Sequence, residues 1–367
     1  MAVKVVVIGA GIAGLAAAWE LVRTEGCEVT VLESERRAGG VIVTEHREGF
    51  IVEGGPDGFL AGEAELPALA AELGIGDRVV DQRARGTSLW TGTALTPVED
   101  GRAAAVLGIE AKSAEVAAGF RSFAAGMSQP VVALSQRLAG VLKFTQGVAG
   151  LTRAGDRWRI AITGGSTHET DGIVLALPAY AAGRLLESVG VTHARALAEV
   201  TYLPSVTVSL AYRADQLGSP MSGAGFVVDP NIVGAQHAAP LPNHAPLHLR
   251  ACTYASAKFP GRAPAGHVLL RAFLAPGDGD PANAAHTQLA AILGLRGEPL
   301  WSRAFHWPRG LPRYHAPHRD HLSEVRHRLT RLPPIAIAGA GYDGAGVSAC
   351  VRSGREAGRL IARWMAR

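Results

Sequence analysis

Residues 5–14 read VVVIGAGIAG, and this stretch decides the fold of the 367-residue chain. An apolar strand runs directly into Gly9-x-Gly11-x-x-Gly14, a glycine spacing typical of a dinucleotide-binding strand, turn and helix. In this motif Gly9 permits the tight turn, Gly11 lets backbone amides approach a pyrophosphate, and Gly14 lets the helix pack closely on the strand. The sequence therefore predicts a phosphate-binding helix N-terminus at the start of the chain.

The second predicted strand, EVTVLE at residues 28–33, ends on an acidic residue. In dinucleotide-binding folds a carboxylate at this point, here Glu33, accepts a hydrogen bond from a ribose hydroxyl and argues against a 2′-phosphate. The amides of Ile12 and Ala13, at the start of the first helix, are expected to face the phosphates. This motif alone does not separate NAD from FAD.

Two glycine-containing stretches follow: residues 34–44 read SERRAGGVIVT, and residues 49–59 read GFIVEGGPDGF. Together with Glu33 they resemble the flavin monoamine oxidase superfamily, whose members share E-x-x-x-R-x-G-G-x-x-x-T and then E-x-G-P. Only a backbone without side chains passes this close to a bound diphosphate, which accounts for the glycine doublet. The resemblance implies a bound FAD. It assigns further cofactor contacts to Ser34, Arg37, Gly39, Gly40, Gly55 and Pro56.

Residues 334–350 read PIAIAGAGYDGAGVSAC, which predicts a buried strand, a glycine-rich turn and a last helix. In the flavin oxidases the positive end of this helix points at the pyrimidine side of the isoalloxazine, where it stabilises the negative charge of the reduced ring. The resemblance assigns cofactor contacts to Gly339 and to the backbone of Gly346, Val347 and Ser348. It also assigns an adenine contact to the backbone of Val141.

Within the superfamily the chain is most similar to the protoporphyrinogen and coproporphyrinogen oxidases, whose C-terminal pattern is A-G-N-x-Y-x-G-x-G-[IL]-P-D-C. The chain departs from this pattern at Ala340, Ser348 and Ala349. Cys350 corresponds to a family cysteine that is not linked to the cofactor, so the resemblance implies non-covalent FAD. Further stretches similar to this family lie at residues 123–127, 258–264, 269–273 and 307–318.

The resemblance implies an oxidase that removes hydride from a meso carbon of a porphyrinogen, either protoporphyrinogen IX or coproporphyrinogen III, in haem biosynthesis. A pyrrole N–H loses its proton, and O2 reoxidises the flavin to yield hydrogen peroxide. Such an electron-rich substrate needs no strong side-chain base, so we assign no catalytic side chain. Arg262 and Arg271 are candidate anchors for the substrate's propionates. The alternative for each is a surface arginine or a structural ion pair.

The predicted fold class is α/β, with a Rossmann-type FAD-binding domain and an α+β substrate-binding domain on a mixed or antiparallel sheet. We assign residues 1–62, 122–178 and 307–367 to the first domain, and residues 63–121 and 179–306 to the second. The porphyrinogen oxidases carry a long helical insertion that helps them sit on membranes, and here the corresponding segment is shortened. We therefore expect a compact member with an open substrate pocket.

The composition agrees with a globular enzyme, since 48% of residues are hydrophobic and 19% are charged. The formal net charge of +4 suits a polycarboxylate substrate but is too diffuse to indicate nucleic acid. We expect a cytoplasmic protein with no leader, no transmembrane segment and at most peripheral membrane contact. Cys27, Cys252 and Cys350 are expected to be reduced thiols. The sequence does not fix the oligomeric state.

Two other functions remain open. One is a flavin amine oxidase or desaturase that acts on another small molecule. Amine oxidases place a lysine that holds a water against flavin N5, and Lys258 is the candidate for that lysine here. The other is a non-catalytic flavin- or porphyrin-binding protein, which the departures from the C-terminal pattern suggest. A metal at His315, His318 and His321 is disfavoured, because Pro317 interrupts any helix there and His318 matches a family position. We expect no metal.

Overall fold

The structure, a computed structural model, describes residues 2–106, 113–218, 220–232, 248–277 and 279–365. Its centre is a five-stranded sheet whose strands all run parallel. The strands lie in the order Leu142–Lys143, Cys27–Leu32, Val3–Ile8, Gly172–Leu175 and Ile335–Ile337. The strand of the opening motif is central and buried on both faces, which explains its unbroken apolar run.

A seven-stranded sheet forms the second large element. Its strands lie in the order Trp301–Arg313, Thr201–Arg213, His267–Leu274, Leu249–Tyr254, Gly225–Val228, Thr87–Trp90 and Leu95–Val98. Neighbouring strands are antiparallel, except that Gly225–Val228 pairs with Thr87–Trp90 in parallel. The predicted fold class, a Rossmann-type parallel sheet combined with a mixed sheet, is therefore confirmed.

Three smaller sheets surround these two. They consist of Val148–Ala154, Arg157–Ile162 and Thr167–Thr170; of Thr44–Arg47 and Phe50–Glu53; and of Phe59–Leu60, Phe120–Phe123 and Val79–Asp81. The α-helices are Ile12–Val22, Glu65–Glu72, Asp100–Val106, Ser113–Ala117, Gln129–Arg137, Ala179–Ser188, Arg195–Ala198, Ala255–Lys258, Pro281–Leu293, His318–Leu329 and Val347–Met365. Short 3-10 turns lie at Gly76–Arg78, Thr192–Ala194 and Ala214–Gln216. Within the described ranges, no helix has the length and apolarity that crossing a bilayer requires.

The segment that corresponds to the helical insertion of the porphyrinogen oxidases is short. It holds the helices Asp100–Val106 and Ser113–Ala117, and residues 107–112 lie outside the described residues. The helix Glu65–Glu72 ends shortly before Gly74, which has the left-handed conformation with φ +76°. The division of the chain into the two domains given above stays a prediction.

The first helix, Ile12–Val22, packs along the last, Val347–Met365, with their backbones in close contact. A Cβ at Gly354 would lie 2.0 Å from the Ala13 carbonyl oxygen, and one at Gly358 would lie 2.7 Å from that of Ala17. Glycine at both positions is therefore what lets the two helices approach. This contact brings the two ends of the chain together.

Arg355 reinforces the same contact. Its guanidinium is almost fully buried and forms ion pairs with Glu20 of the first helix at 2.5 Å and with Glu72 of the helix Glu65–Glu72 at 2.7 Å. Burial works against its charge, but the two carboxylates outweigh that effect and raise the pKa of Arg355 further. Arg355 of the last helix is thus joined to both Ile12–Val22 and Glu65–Glu72.

Replacing Gly354 with Ala tests the helix contact. An added methyl would meet the backbone oxygen of Ala13, so we expect Gly354→Ala to lower the free energy of unfolding by about 1–3 kcal/mol, although alanine favours helix. Gly140→Ala is the matched control, because a Cβ there meets no atom within 4 Å. Thermal and urea unfolding of both variants measure the effect. Equal stability of the two would contradict the described packing.

Candidate functional site

The first glycine motif adopts the geometry that its spacing predicts. Gly9 has φ +102°, and a Cβ there would lie 2.4 Å from the carbonyl oxygen of Ala176. A Cβ at Gly14 would lie 1.9 Å from the Gly9 oxygen. Neither position can carry a side chain, because its Cβ would collide with a backbone oxygen of the protein itself. Ile12 and Ala13 open the helix, and their N–H groups have no side-chain cap.

Gly11 differs from its two neighbours in the motif. A Cβ at Gly11 would meet no protein atom within 4 Å, and one at Gly40 would meet only the Gly11 Cα at 3.6 Å. The two backbones lie side by side, since Gly11 pairs with Gly39 and the Gly39 N–H donates to the Ala10 oxygen at 2.8 Å. The glycines thus border open space in front of a helix N-terminus, and this space suits an anionic diphosphate.

Glu33 is oriented by the backbone of the glycine turn. Its Oε2 accepts a hydrogen bond from the Ala10 N–H at 2.7 Å, and its Oε1 accepts from the Glu35 N–H at 2.9 Å and the Ser34 hydroxyl at 3.2 Å. A carboxylate has about four acceptor positions, so one more donor, such as a ribose hydroxyl, can be bound. The geometry fits the role assigned to Glu33.

Arg37 holds the glycine doublet. Its Nη2 donates to the Gly40 oxygen at 2.7 Å and its Nη1 to the Ala38 oxygen at 3.1 Å. Gly55 packs against the same loop from the other side, because a Cβ there would lie 1.8 Å from the Val41 oxygen. Pro56 follows and is half-buried. In this structure Arg37 and Gly55 shape the loop.

The C-terminal motif reaches this region through the last helix. Gly339 turns with φ +123° and donates its N–H to the Ser353 hydroxyl at 3.2 Å. Gly346 precedes the helix, and Val347 and Ser348 open it, both buried. The first N–H groups of a helix lack partners within it, so they are available to an anionic or carbonyl group. The residues present fit the pyrimidine side of a flavin.

Glu63 lies beside this helix N-terminus, and no sequence pattern pointed to it. A Cβ at Gly346 would lie 3.4 Å from its Oε1, and its Oε2 accepts from the Leu60 N–H at 3.3 Å. Burial raises the pKa of the Glu63 carboxyl above its ordinary value. Cys350 lies on the first turn of the same helix, and burial raises the pKa of its thiol to about 12. That thiol is therefore protonated and inert at neutral pH.

The backbone of Val141 is hydrogen-bonded at the edge of the parallel sheet. Its N–H donates to the Leu138 oxygen at 2.9 Å, and its carbonyl accepts from the Val31 N–H at 2.8 Å. The N–H is thus used, but the carbonyl keeps a second lone pair that an adenine amino group could meet, and the adenine contact stays a prediction. The Val141 backbone fixes the edge of the parallel sheet next to the strand that ends before Glu33.

Five charged side chains form a buried ion cluster, consisting of Glu53, Asp57, Lys258, Arg262 and Arg271. Arg262 lies 3.3 Å from Glu53, and Lys258 lies 2.9 Å from Asp57. Arg271 donates to the Gly55 oxygen at 2.5 Å. The cluster joins the E-x-G-P segment to the seven-stranded sheet.

The two carboxyls of the buried ion cluster respond in opposite ways. For Glu53, burial outweighs the attraction of Arg262 and raises the pKa. For Asp57, burial also acts to raise the pKa, but Lys258 and Arg271 together overcome it and the net pKa is lowered. A buried charge without a partner is costly, so each member depends on the others.

The two predicted propionate anchors both belong to this cluster. Arg262 is only 2% exposed and donates to the Ser122 hydroxyl at 2.6 Å in addition to its pair with Glu53. Arg271 is 5% exposed and stacks on the ring of Phe273, 4.9 Å from its centroid. This geometry favours the structural ion pair for Arg262. Lys258 is likewise paired, and its ammonium lies over the rings of Phe120 and Phe259.

The strand Trp301–Arg313 contacts both cofactor motifs. Trp307 donates from Nε1 to the Gly54 oxygen at 2.7 Å, and the Tyr314 hydroxyl, just after the strand, donates to the Ala340 oxygen. The ring of His318 stacks on Tyr314 at 4.8 Å. Within the described residues no group of histidine, cysteine, aspartate and glutamate side chains could hold a metal ion. The resemblance at residues 307–318 was the only sequence signal for these contacts.

Arg262→Met separates a structural role from a substrate contact. Because the change leaves Glu53 buried without its partner, we expect the free energy of unfolding to fall by about 3–5 kcal/mol. The loss should grow as pH rises above the ordinary glutamate pKa, since the native state then has to hold an uncompensated carboxylate. Urea unfolding at pH 5 and pH 8 measures both effects. Unchanged stability with a raised KM would instead support a substrate anchor.

The chain is similar to several known proteins. The family described as "Flavin containing amine oxidoreductase" matches residues 85–362, and a NAD(P)-binding Rossmann-like domain matches residues 7–73. The chain is 23% identical to coproporphyrinogen III oxidase of Bacillus subtilis (strain 168), with 96% of each chain covered. That alignment extends over 472 positions, more than the 367 residues of this chain, so it contains long gaps on this chain's side. Part of the relative's sequence therefore has no counterpart here. Human protoporphyrinogen oxidase is 31% identical over 61% of this chain and 47% of its own length.

Solved structures share the fold. A protein of Exiguobacterium sp. 255-15 that carries the provisional name protoporphyrinogen oxidase superposes with a TM-score of 0.82 at 22% identity, with 99% of both chains covered. Cyclohexylamine oxidase from Brevibacterium oxydans IH-35A superposes with a TM-score of 0.75 at 13% identity, with 100% of both chains covered. The match over most of the length, together with the paired glycine motifs, shows that the chain belongs to the family of flavin-containing amine oxidoreductases.

Proposed function

We propose that the protein is an FAD-dependent porphyrinogen oxidase that converts protoporphyrinogen IX or coproporphyrinogen III to the porphyrin, with O2 as acceptor, as a step of haem biosynthesis. The observation that carries the proposal is the end-to-end likeness to coproporphyrinogen III oxidase of Bacillus subtilis. In this chain open space, here called the cofactor cleft, lies beside Gly11 and Gly40, and Gly339 of the C-terminal motif lies next to Ala13. A cytoplasmic location with at most peripheral membrane contact belongs to the same proposal.

FAD fits the residues of this cleft. The open side of Gly11 and Gly40 would take the diphosphate, Glu33 the ribose, and the amides at Val347 and Ser348 the pyrimidine edge of the ring. When bound, the flavin supplies the hydride acceptor. Arg37 and Gly55 shape the loop beside it, and the helix that begins at Val347 would orient the ring. Non-covalent binding agrees with the protonated, buried thiol of Cys350.

An amine oxidase is the second candidate, favoured by the superposition on cyclohexylamine oxidase. The position of Lys258 weighs against it. Its ammonium is ion-paired with Asp57 and faces aromatic rings, so it is committed to the buried ion cluster. A cationic substrate would also meet a net positive chain.

Gly11→Ala tests the cofactor cleft. The added methyl meets no protein atom, so we expect the unfolding midpoint of the apoprotein to stay the same. The methyl would occupy space next to the diphosphate, so we expect the Kd for FAD to rise at least about tenfold, which is about 1.4 kcal/mol. Titration of the apoprotein with FAD, followed by flavin fluorescence, measures it. Gly140→Ala is the control, and an unchanged Kd in Gly11→Ala would place the diphosphate elsewhere.

Anaerobic mixing tests the reaction class. The oxidised holoprotein is mixed with coproporphyrinogen III, protoporphyrinogen IX or benzylamine, and the flavin absorbance is followed. We expect a porphyrinogen to bleach the flavin band and the amine to leave it unchanged. Bleaching by the amine alone would establish the amine oxidase alternative. A bound flavin that no substrate reduces would indicate the non-catalytic binding protein.

A further inference from the structure

A short segment of the seven-stranded sheet spans the two cofactor motifs. Trp307 donates to Gly54 of the E-x-G-P segment, and Tyr314 donates to Ala340 of the C-terminal motif. The side chains between these two contacts therefore lie where both ends of the chain meet. Arg309 lies within this segment and is exposed.

A β-bulge displaces this part of the strand. Leu203 pairs with Leu311 and Ser205 pairs with Trp307, so the single residue Pro204 faces residues 308–310. Bulges of this kind re-aim side chains and occur often beside active sites. The bulge is tight, since a Cβ at Gly310 would lie 3.3 Å from the Ser205 Cβ. Arg309 therefore does not follow the simple alternation of the strand.

The displaced Arg309 stacks on an aromatic pair that reaches the C-terminal motif. Its guanidinium carbon lies 4.2 Å from the ring centroid of Tyr180, and that ring meets Tyr202 edge-on at 5.3 Å. The Tyr202 hydroxyl accepts from the Ala179 N–H at 2.9 Å, and a Cβ at Gly341 would lie 2.8 Å from it. Arg309 is thus connected through two rings to the loop that leads into the last helix.

Arg309 differs from the other arginines of the candidate site in what its guanidinium binds. Arg37 donates to loop carbonyls, Arg262 pairs with Glu53, and Arg271 donates to Gly55. Over the residues that the structure describes, Arg309 has neither a carboxylate nor a hydrogen-bond acceptor as partner, only the Tyr180 ring. A stacked guanidinium keeps its N–H edge open, and that edge matches a carboxylate in two-point geometry.

We propose that Arg309 anchors a carboxylate substituent of the substrate, with its guanidinium held ready by Tyr180 and by the bulge at residues 308–310. This rests on the proposed function, in which the substrate is a flat macrocycle that carries propionates. Arg309 takes the role that the sequence suggested for Arg262 and Arg271. Its charge also selects against ammonium substrates, which distinguishes a carboxylate-binding oxidase from an amine oxidase within one fold.

The test uses the FAD-loaded protein and two probes, coproporphyrin III and its tetramethyl ester, with binding followed by porphyrin fluorescence. Arg309→Gln should raise the Kd for coproporphyrin III roughly tenfold, because one charge-assisted pair is lost, and leave the Kd for the ester unchanged. With coproporphyrinogen III, KM should rise by a similar factor and kcat should change little. Arg309→Lys should recover part of the affinity, since lysine keeps the charge but not the planar edge.

Arg303→Gln is the matched control. Arg303 lies on the same strand and over a ring, that of Phe305 at 4.8 Å, but it is already paired with Glu45 at 2.7 Å. Its removal should leave both Kd values unchanged. Equal Kd values for coproporphyrin III in wild type and Arg309→Gln would overturn the anchor and leave the proposed function intact. A wild-type holoprotein that binds neither probe and oxidises no porphyrinogen would overturn both.

Discussion

The close contact between the first and the last helix is the constraint on which the rest of the molecule depends. Gly354 and Gly358 remove two side chains from that contact, so the helix backbones meet. Buried apolar residues on both helices then form one core, and Arg355 joins them electrostatically. As a result, motifs from opposite ends of the sequence come together, with Gly339 next to Ala13 beside the cofactor cleft. A cofactor held there would stabilise the whole fold, because it binds only the folded chain.

The buried ion cluster connects this cleft to the substrate side. Its charges pair segments that are far apart in sequence, such as Glu53 with Arg262 and Asp57 with Lys258. Such pairs contribute little net stability, because each charge has to be stripped of water. Their value lies in fixing where the E-x-G-P segment meets the sheet. The charged groups free to meet a substrate are then those outside the cluster, with Arg309 foremost among the ones discussed.

Local constraints were the part of this protein that the sequence could predict. Gly14 is required by a contact within one turn, and the parallel sheet follows from apolar runs that end in glycine turns. Long-range partners could not be predicted. Nothing near Arg262 in the sequence indicates its pairing with Glu53, and the strand alternation around Arg309 gives no sign of the bulge. The amide of Val141 is used inside the sheet, which a motif comparison cannot detect.

The central claim is that the two ends of the chain hold one flavin jointly. Hydrogen exchange of the apoprotein, with and without FAD and followed by mass spectrometry, tests it most directly. Our account predicts slower exchange on FAD addition at residues 9–14 and, at the same FAD concentration, at residues 346–348. Protection at only one of these segments, or at neither, would contradict it.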